Sequence, residues 1–438
     1  MGQTEAGAST GGMPSSPTSG DGGGGAQDSP DGASSDASGG ETSTGNSIVG
    51  VVLDFATKRP LAGAGVSIRA THVNTDDSGG FELPKPSDSY DVTIESADGS
   101  SVSIYRGLTR SDPVLLHRQP SRIAGTEHSA RISGTLAKPS TTLISMSDIA
   151  AVTFVSGAAD DQVLLGSDLP PFGPNYQLFL SWDGNSSLSG KLFARGVFAG
   201  DEDAGTPVSR FFVEEDVTLH DGDMQTDALT FAPVTTKQLS GTVTLPSDAD
   251  LSQLQEYYRL PLPNAVIAIG NYLTAIPTFT HDIDVLPGAE KQLCVAAISN
   301  TSGLSSTERC GIQLDSMDTA LVIQAPPAFV TAPTDGTFST GTRFSWQPFD
   351  RGIHVLQLEP AEPSATVPSI DIYTSGTSAS WPSATVALPT AAEYDCVIGG
   401  IGPFTSMDDA TAPNALGALI PTESRRSFSA ALELTTAP

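Results

Sequence analysis

Basic residues are scarce in this sequence. Its 438 residues carry 21 Lys and Arg against 50 Asp and Glu, a formal net charge of -29. A chain of that sign repels phosphate backbones, which argues against a nucleic-acid partner. The same charge favours solubility and attracts divalent cations loosely. Long apolar runs are also missing. None approaches the roughly 18 consecutive apolar residues of a membrane-crossing helix. The opening MGQTEAGAST has no basic and no apolar stretch, so it does not read as a signal peptide. Ala6 stands where a myristoylation pattern needs Ser or Thr. Only three cysteines occur. They form no Cys-x-x-Cys and have no neighbouring His, as a zinc site would require. His-Glu-x-x-His and Gly-x-Ser-x-Gly are absent, so the familiar metallopeptidase and serine-hydrolase signatures are missing. The histidines, at 72, 117, 128, 220, 281 and 354, are dispersed.

What is present points to β structure. There are 44 Gly and 32 Pro residues, which suits many short strands joined by turns. Length suggests about three domains as a prior. Residues 1–46 are Gly, Ser, Thr, Ala and Asp with almost nothing to bury, and no aromatic residue precedes Phe55. Such a segment cannot offset its ordering entropy and is expected to be a disordered tether. It resembles the spacer that follows the lipid-modified cysteine of a bacterial surface lipoprotein. That cysteine is not in this chain.

From Ser47 the pattern changes. SIVGVVL is a short apolar run, and Val66, Ile68 and Ala70 alternate in the stretch after it. In VNTDDSGG, Asp76 and Asp77 can accept from nearby backbone while Gly79 and Gly80 tolerate positive φ. Phe81 and Leu83 restart a strand, and Tyr90, Val92 and Ile94 share a face of the next. The succession SIVGVVLDFATKRPLAGAGVSI, TDDSGGFEL and YDVTI resembles the carboxypeptidase regulatory-like module, over residues 47 to about 118. The resemblance implies a transthyretin-like sandwich of seven strands, usually a noncatalytic accessory or spacer. The paired glycines then serve a hairpin and not a phosphate loop, since no helix follows them.

Two later segments echo each other: ARISGTLAKPS (130–140) and KQLSGTVTLPS (237–247). Each is expected to open a new sandwich, with strands such as YQLFLSW between them. LSQLQEYYRL (251–260) is the one short helix expected. TRFSWQP, followed by a Tyr-x-Cys strand, resembles a fibronectin type III or immunoglobulin-like sandwich with Trp346, Trp381 and Tyr394 in its core. The expected fold is therefore all-β: tandem β-sandwiches at 47–120, 121–237, 238–325 and 326–438 behind the 1–46 tether.

Candidate chemistry is sparse. Cys294 and Cys310 flank SNTSGLSSTE between two expected antiparallel strands, a placement that suits a disulfide; Cys396 is expected to be buried and inert. AGDEDAG and the trio Asp221, Asp223 and Asp227 of HDGDMQTD are loops whose oxygens suit calcium, though a charged solvent loop explains them more simply. HDID (281–284) reads as a solvated strand edge. Trp182 is the candidate ring platform for a sugar, against the plainer reading of a residue capping the sandwich. No catalytic residue and no cofactor-binding residue emerges, and no cofactor is expected beyond calcium. The sequence reads as a noncatalytic structural or adhesive protein, extracellular or on a bacterial cell surface (outer membrane or envelope). Its expected partners are other surface proteins or polysaccharide, with a membrane lipid anchor through a cysteine outside this chain. A carbohydrate-binding accessory protein is the alternative, and an enzyme with a site invisible in sequence is the third reading.

Overall fold

The computed structural model describes residues 47–437 apart from 56–57, 120–127, 138–148, 157–166, 169–174, 183–185, 199–208, 245–252, 263–264, 275–277, 286–291, 300–304, 313–318, 334–335, 363–366, 382–385, 388 and 418–423. The expected tether, residues 1–46, lies outside the described residues.

The first module holds β1 (Ser47–Asp54), β2 (Gly65–Ile68), β3 (Thr71–Asn74), β4 (Gly80–Pro84), β5 (Tyr90–Glu95), β6 (Ser101–Leu108) and β7 (Val114–His117). Two sheets form, β4-β1-β7 and β3-β2-β5-β6. Within the first sheet β1 runs antiparallel to β4 and parallel to β7. The TDDSGG turn closes as its residues dictate. Asp76 Oδ1 accepts from Ser78 N at 2.9 Å and Gly80 N at 2.8 Å. Gly79 sits at φ +72°, and a Cβ there would lie 2.4 Å from the Val52 carbonyl oxygen, so only glycine fits.

The second module holds β8 (His128–Ala137), β9 (Ile149–Ser156), β10 (Ser167–Asp168), β11 (Asn175–Trp182), β12 (Ser187–Phe198), β13 (Ser209–His220), β14 (Met224–Thr230) and β15 (Ala232–Pro233). The third holds β16 (Thr235–Thr244), β17 (Gln253–Leu262), β18 (Ala265–Thr274), β19 (Thr278–Val285), β20 (Gln292–Ser299), β21 (Ser305–Ile312) and β22 (Thr319–Val322). The segment expected to be helical is strand β17. It hydrogen-bonds to β18 on one side and β20 on the other, so ladder pairing on both edges overrides its helical spacing.

These three modules repeat one topology. The opening strand is central in a three-stranded sheet each time: β4-β1-β7, β11-β8-β14 and β19-β16-β22. Each opening strand is antiparallel to one neighbour and parallel to the other, β7, β14 or β22. The second sheets also correspond: β3-β2-β5-β6, β10-β9-β12-β13 and β18-β17-β20-β21. One glycine marks the opening strand in the same place. Gly50 pairs with Phe81, Gly134 with Tyr176 and Gly241 with Phe279. In the first two, a Cβ on the glycine would approach the opposite ring at 2.4 and 2.8 Å. The missing side chain leaves room for the aromatic to lie across the strand. The sequence echo of the second and third modules thus extends to the first.

The last module holds β23 (Phe329–Thr331), β24 (Thr337–Phe338), β25 (Arg343–Trp346), β26 (Ile353–Pro360), β27 (Ser369–Thr374), β28 (Ser378–Ser380), β29 (Glu393–Gly402), the short helix α1 (Met407–Ala410), β30 (Ser424–Phe428) and β31 (Leu432–Thr436). Its core includes Phe338, Phe344, Trp346, Trp381 and Tyr394, all buried. Gly399 and Gly400 make space for rings: a Cβ on them would lie 2.6 Å from Phe428 and 2.3 Å from Phe349.

The modules are not independent beads. A 14-stranded sheet runs β18-β17-β20-β21-β30-β29-β26-β27-β6-β5-β2-β3, with β31 and β24 branching from β29. The last module therefore lies in one sheet with the third, through β21–β30, and with the first, through β6–β27. Among the described residues, the second module keeps its sheets and its core to itself.

Candidate functional site at the seam of the first and last modules

The β6–β27 seam is built from two strands that each need a neighbour. β27 is buried at all six positions and β6 at its first five. Runs buried on both faces are what a central strand of a sheet requires. The strands pair parallel, with Ser101 to Tyr105 opposite Ser369 to Tyr373. Side chains from both modules then close two shared cores. Ile353, Val355, Tyr373, Ile401 and Met407 pack with the first module's Ile48, Val66, Phe81 and Leu108. On the other face Val102 and Ile104 pack with Leu356, Ile370 and Trp381. Each such aliphatic side chain contributes about 1.5–3 kcal/mol by burial.

Polar groups fix the register. Tyr105 and Tyr373 stack with centroids 4.5 Å apart and planes 6° from parallel. The Tyr105 hydroxyl donates to the Leu116 carbonyl at 2.6 Å and accepts from Leu116 N at 2.8 Å. Burial pushes both phenols well above their ordinary range, so they stay neutral. Arg118 reaches across to Glu359 and, through Nε, to Asp371 Oδ2 at 3.3 Å. Asp371 is buried and also accepts from Gln357 Nε2 at 3.2 Å. Burial pushes its carboxyl above the usual range, while the Arg118 charge works the other way. His117 is fully buried between two hydroxyls, with Ser101 Oγ 2.9 Å from Nε2 and Ser103 Oγ 2.9 Å from Nδ1. Burial lowers its pKa to about 4, so the ring is neutral near pH 7.

A second clasp lies at α1. Asp408 Oδ1 accepts from Thr109 N at 2.8 Å and Arg110 N at 3.1 Å, and Oδ2 accepts from the Thr109 hydroxyl. Burial pushes Asp408 up, but these donors outweigh it and hold the carboxyl below its ordinary value. Arg110 Nη1 donates to the Asp408 carbonyl at 2.5 Å. The chemistry of this arrangement is that of a joint between the two modules.

The residues singled out from sequence fall elsewhere. Trp182 is a correction: it is 0% exposed, in the second module's core, with its ring 5.8 Å from that of His128. It cannot serve as a platform, because it alternates in phase with Tyr176, Leu178 and Leu180, which are all buried. The exposed ring on β11 is Phe179, at 69%. Asp221, Asp223 and Asp227 do not converge. Asp221 accepts from Ser129 N, Asp223 from His220 N and Asp227 from Gln225 Nε2. Among the described residues no group of three or more His, Cys, Asp or Glu could hold a metal ion. The AGDEDAG acids lie outside the described residues. His281, Asp282 and Asp284 lie on β19, paired along β16. Cys294 stands opposite Cys310 in the β20–β21 ladder. Cys310 is disulfide-bonded, whereas Cys396 is buried and free.

No family model and no curated relative matches the chain. Among solved structures it is similar to the Bacillus anthracis TIE protein, at 12% identity over 63% of this chain and 49% of that one, with a TM-score of 0.16. It is also similar to BcpA, the major pilin subunit of Bacillus cereus, at 9% identity over 64% of this chain and 98% of that one, TM-score 0.13. A third is the pilus adhesin SpaC from Lactobacillus rhamnosus GG, at 8% identity over 90% and 56%, TM-score 0.11. The chain spans about half the length of the Bacillus anthracis protein.

Proposed function

We propose that this chain is a noncatalytic structural protein of the cell exterior, a rigid spacer or stalk component. The observation that carries the reading is the unbroken ladder from β21 through the last module to β6. Three modules in one sheet resist bending better than modules joined by linkers. A force along the strands must break the rungs of the β6–β27 ladder together, not one at a time.

Two features support the compartment. The disulfide-bonded Cys310 belongs in an oxidising environment. The composition of residues 1–46 suits a tether, with a lipid anchor supplied from a cysteine outside this chain. The likeness of residues 47–118 to a carboxypeptidase regulatory-like spacer fits the same role. Other surface proteins are the partners this reading implies.

Single-molecule pulling on the full chain by its two ends tests the mechanical role. The expected trace has the first and last modules releasing in one high-force event. Four separate low-force events would overturn the reading.

A further inference from the structure

We propose that the outer face of the β11-β8-β14 sheet binds an acidic glycan. On that face Phe179, Arg131 and Met224 form one row across three strands. Phe179 is 69% and Met224 74% exposed, one on each side of Arg131 in the row. The Arg131 guanidinium lies 5.6 Å from the Phe179 ring centroid and donates from Nη2 to Gln177 Oε1 at 2.7 Å. The guanidinium is thereby held over the ring. Arg131 makes no ion pair among the described residues. The adjoining row is Gln177, Ser133 and Thr226, two hydroxyls and an amide that both donate and accept.

Charge selects the ligand. The chain has a net charge of -29, yet no outward position of these three strands carries a carboxylate. Among the described residues, Asp221 and Asp223 in the turn before β14 accept from the backbone N–H groups of Ser129 and His220, and Asp221 also lies 3.5 Å from His128 Nδ1. Asp227 alternates to the face opposite Met224, with Leu229. What remains is one guanidinium with no ion pair among the described residues, over an exposed ring and next to a row of hydroxyls. A pyranose ring presents a C–H face that an aromatic ring can cover. A carboxylate or sulfate on that ring matches the planar donors of Arg131. A peptide would instead seek a strand edge or a groove.

The test is an array of uronate-, sialate- and sulfate-bearing glycans beside their neutral counterparts, probed with the full chain at low salt. The best acidic glycan is then titrated against wild type, Phe179→Ala and Arg131→Gln, with polyglutamate as a competitor. Acid-selective binding, weakened about tenfold or more by each substitution without a change in melting temperature, supports the proposal. Absence of any acidic-glycan binding overturns it. So does equal binding of neutral glycans, equal competition by polyglutamate, or binding that both variants retain. The outcome is independent of the pulling experiment, since the second module shares no sheet with the seam.

Discussion

Tyr105 and Tyr373, from the first and last modules, stack face to face across a parallel ladder, with ring centroids 4.5 Å apart. Both rings are completely enclosed. Tyr373→Ala should therefore leave a cavity at the seam and cost about 3–5 kcal/mol. Chemical denaturation would measure it. The first module should also begin to unfold ahead of the last, and limited proteolysis would detect that uncoupling. An unchanged midpoint would show that the seam contributes nothing.

Arg118 covers the buried Asp371 carboxylate. Arg118→Met removes the partner and leaves the acid enclosed, at an expected cost of about 3–5 kcal/mol. Adding Asp371→Asn should recover part of the loss, because the uncompensated charge disappears. A double-mutant cycle in denaturant checks the coupling.

His117 makes the fold sensitive to acid. Burial holds its folded pKa at about 4 against an ordinary 6.5. Between those values the unfolded chain binds a proton that the folded chain refuses, so stability falls as pH drops from about 6.5 towards 4. A shift of this size corresponds to about 3 kcal/mol when complete. The raised Asp371 carboxyl acts in the opposite sense. The contribution of His117 is therefore read as the difference between wild type and His117→Gln across that window.

Cys294 is the remaining partner for the disulfide-bonded Cys310, since Cys396 is free. A non-reduced digest should contain a peptide joining residues 294 and 310. Cys310→Ser should cost about 3 kcal/mol. Cys396 should resist alkylation until the chain is denatured, because burial raises its thiol pKa far above ordinary values.

Gly134 faces both neighbours of its strand. A Cβ there would lie 1.6 Å from the Asp227 carbonyl oxygen, and backbone cannot yield easily. Gly134→Ala should destabilise by about 3 kcal/mol. The loss should be confined to the second module, whose core is separate. Calorimetry should then show an early transition split from the rest.

Much of the strand pattern was legible because these sandwiches have one dry and one wet face on several strands. Phe81 and Leu83 alternate inward as read, and so do Tyr176, Leu178 and Leu180. That same alternation assigned Trp182 to the interior and Phe179 to solvent. The ring chemistry of Trp182 suggests a platform, but its parity with Tyr176, Leu178 and Leu180 puts it inside. The repeat was seen in ARISGTL and KQLSGTV but not in SIVGVVL, where Val51 replaces the threonine and only the glycine and its opposing ring persist. Helical spacing in LSQLQEYYRL competed with a strand whose neighbours on both sides come later in the chain. The seam had no local signal at all. Buried runs in β6 and β27 announce central strands, but periodicity cannot say which strand lies beside which.

The parallel pairing of β6 with β27 sets an order of events during synthesis. The ribosome completes β6 well over half a chain before β27 exists. Chains made from the amino end fold their early domains first, so the first module must wait with one buried-type strand lacking its neighbour. A bare edge of that kind recruits whatever strand arrives. Any chain released before about residue 374 keeps it bare permanently. Premature termination should thus yield a sticky product and not a shorter working one.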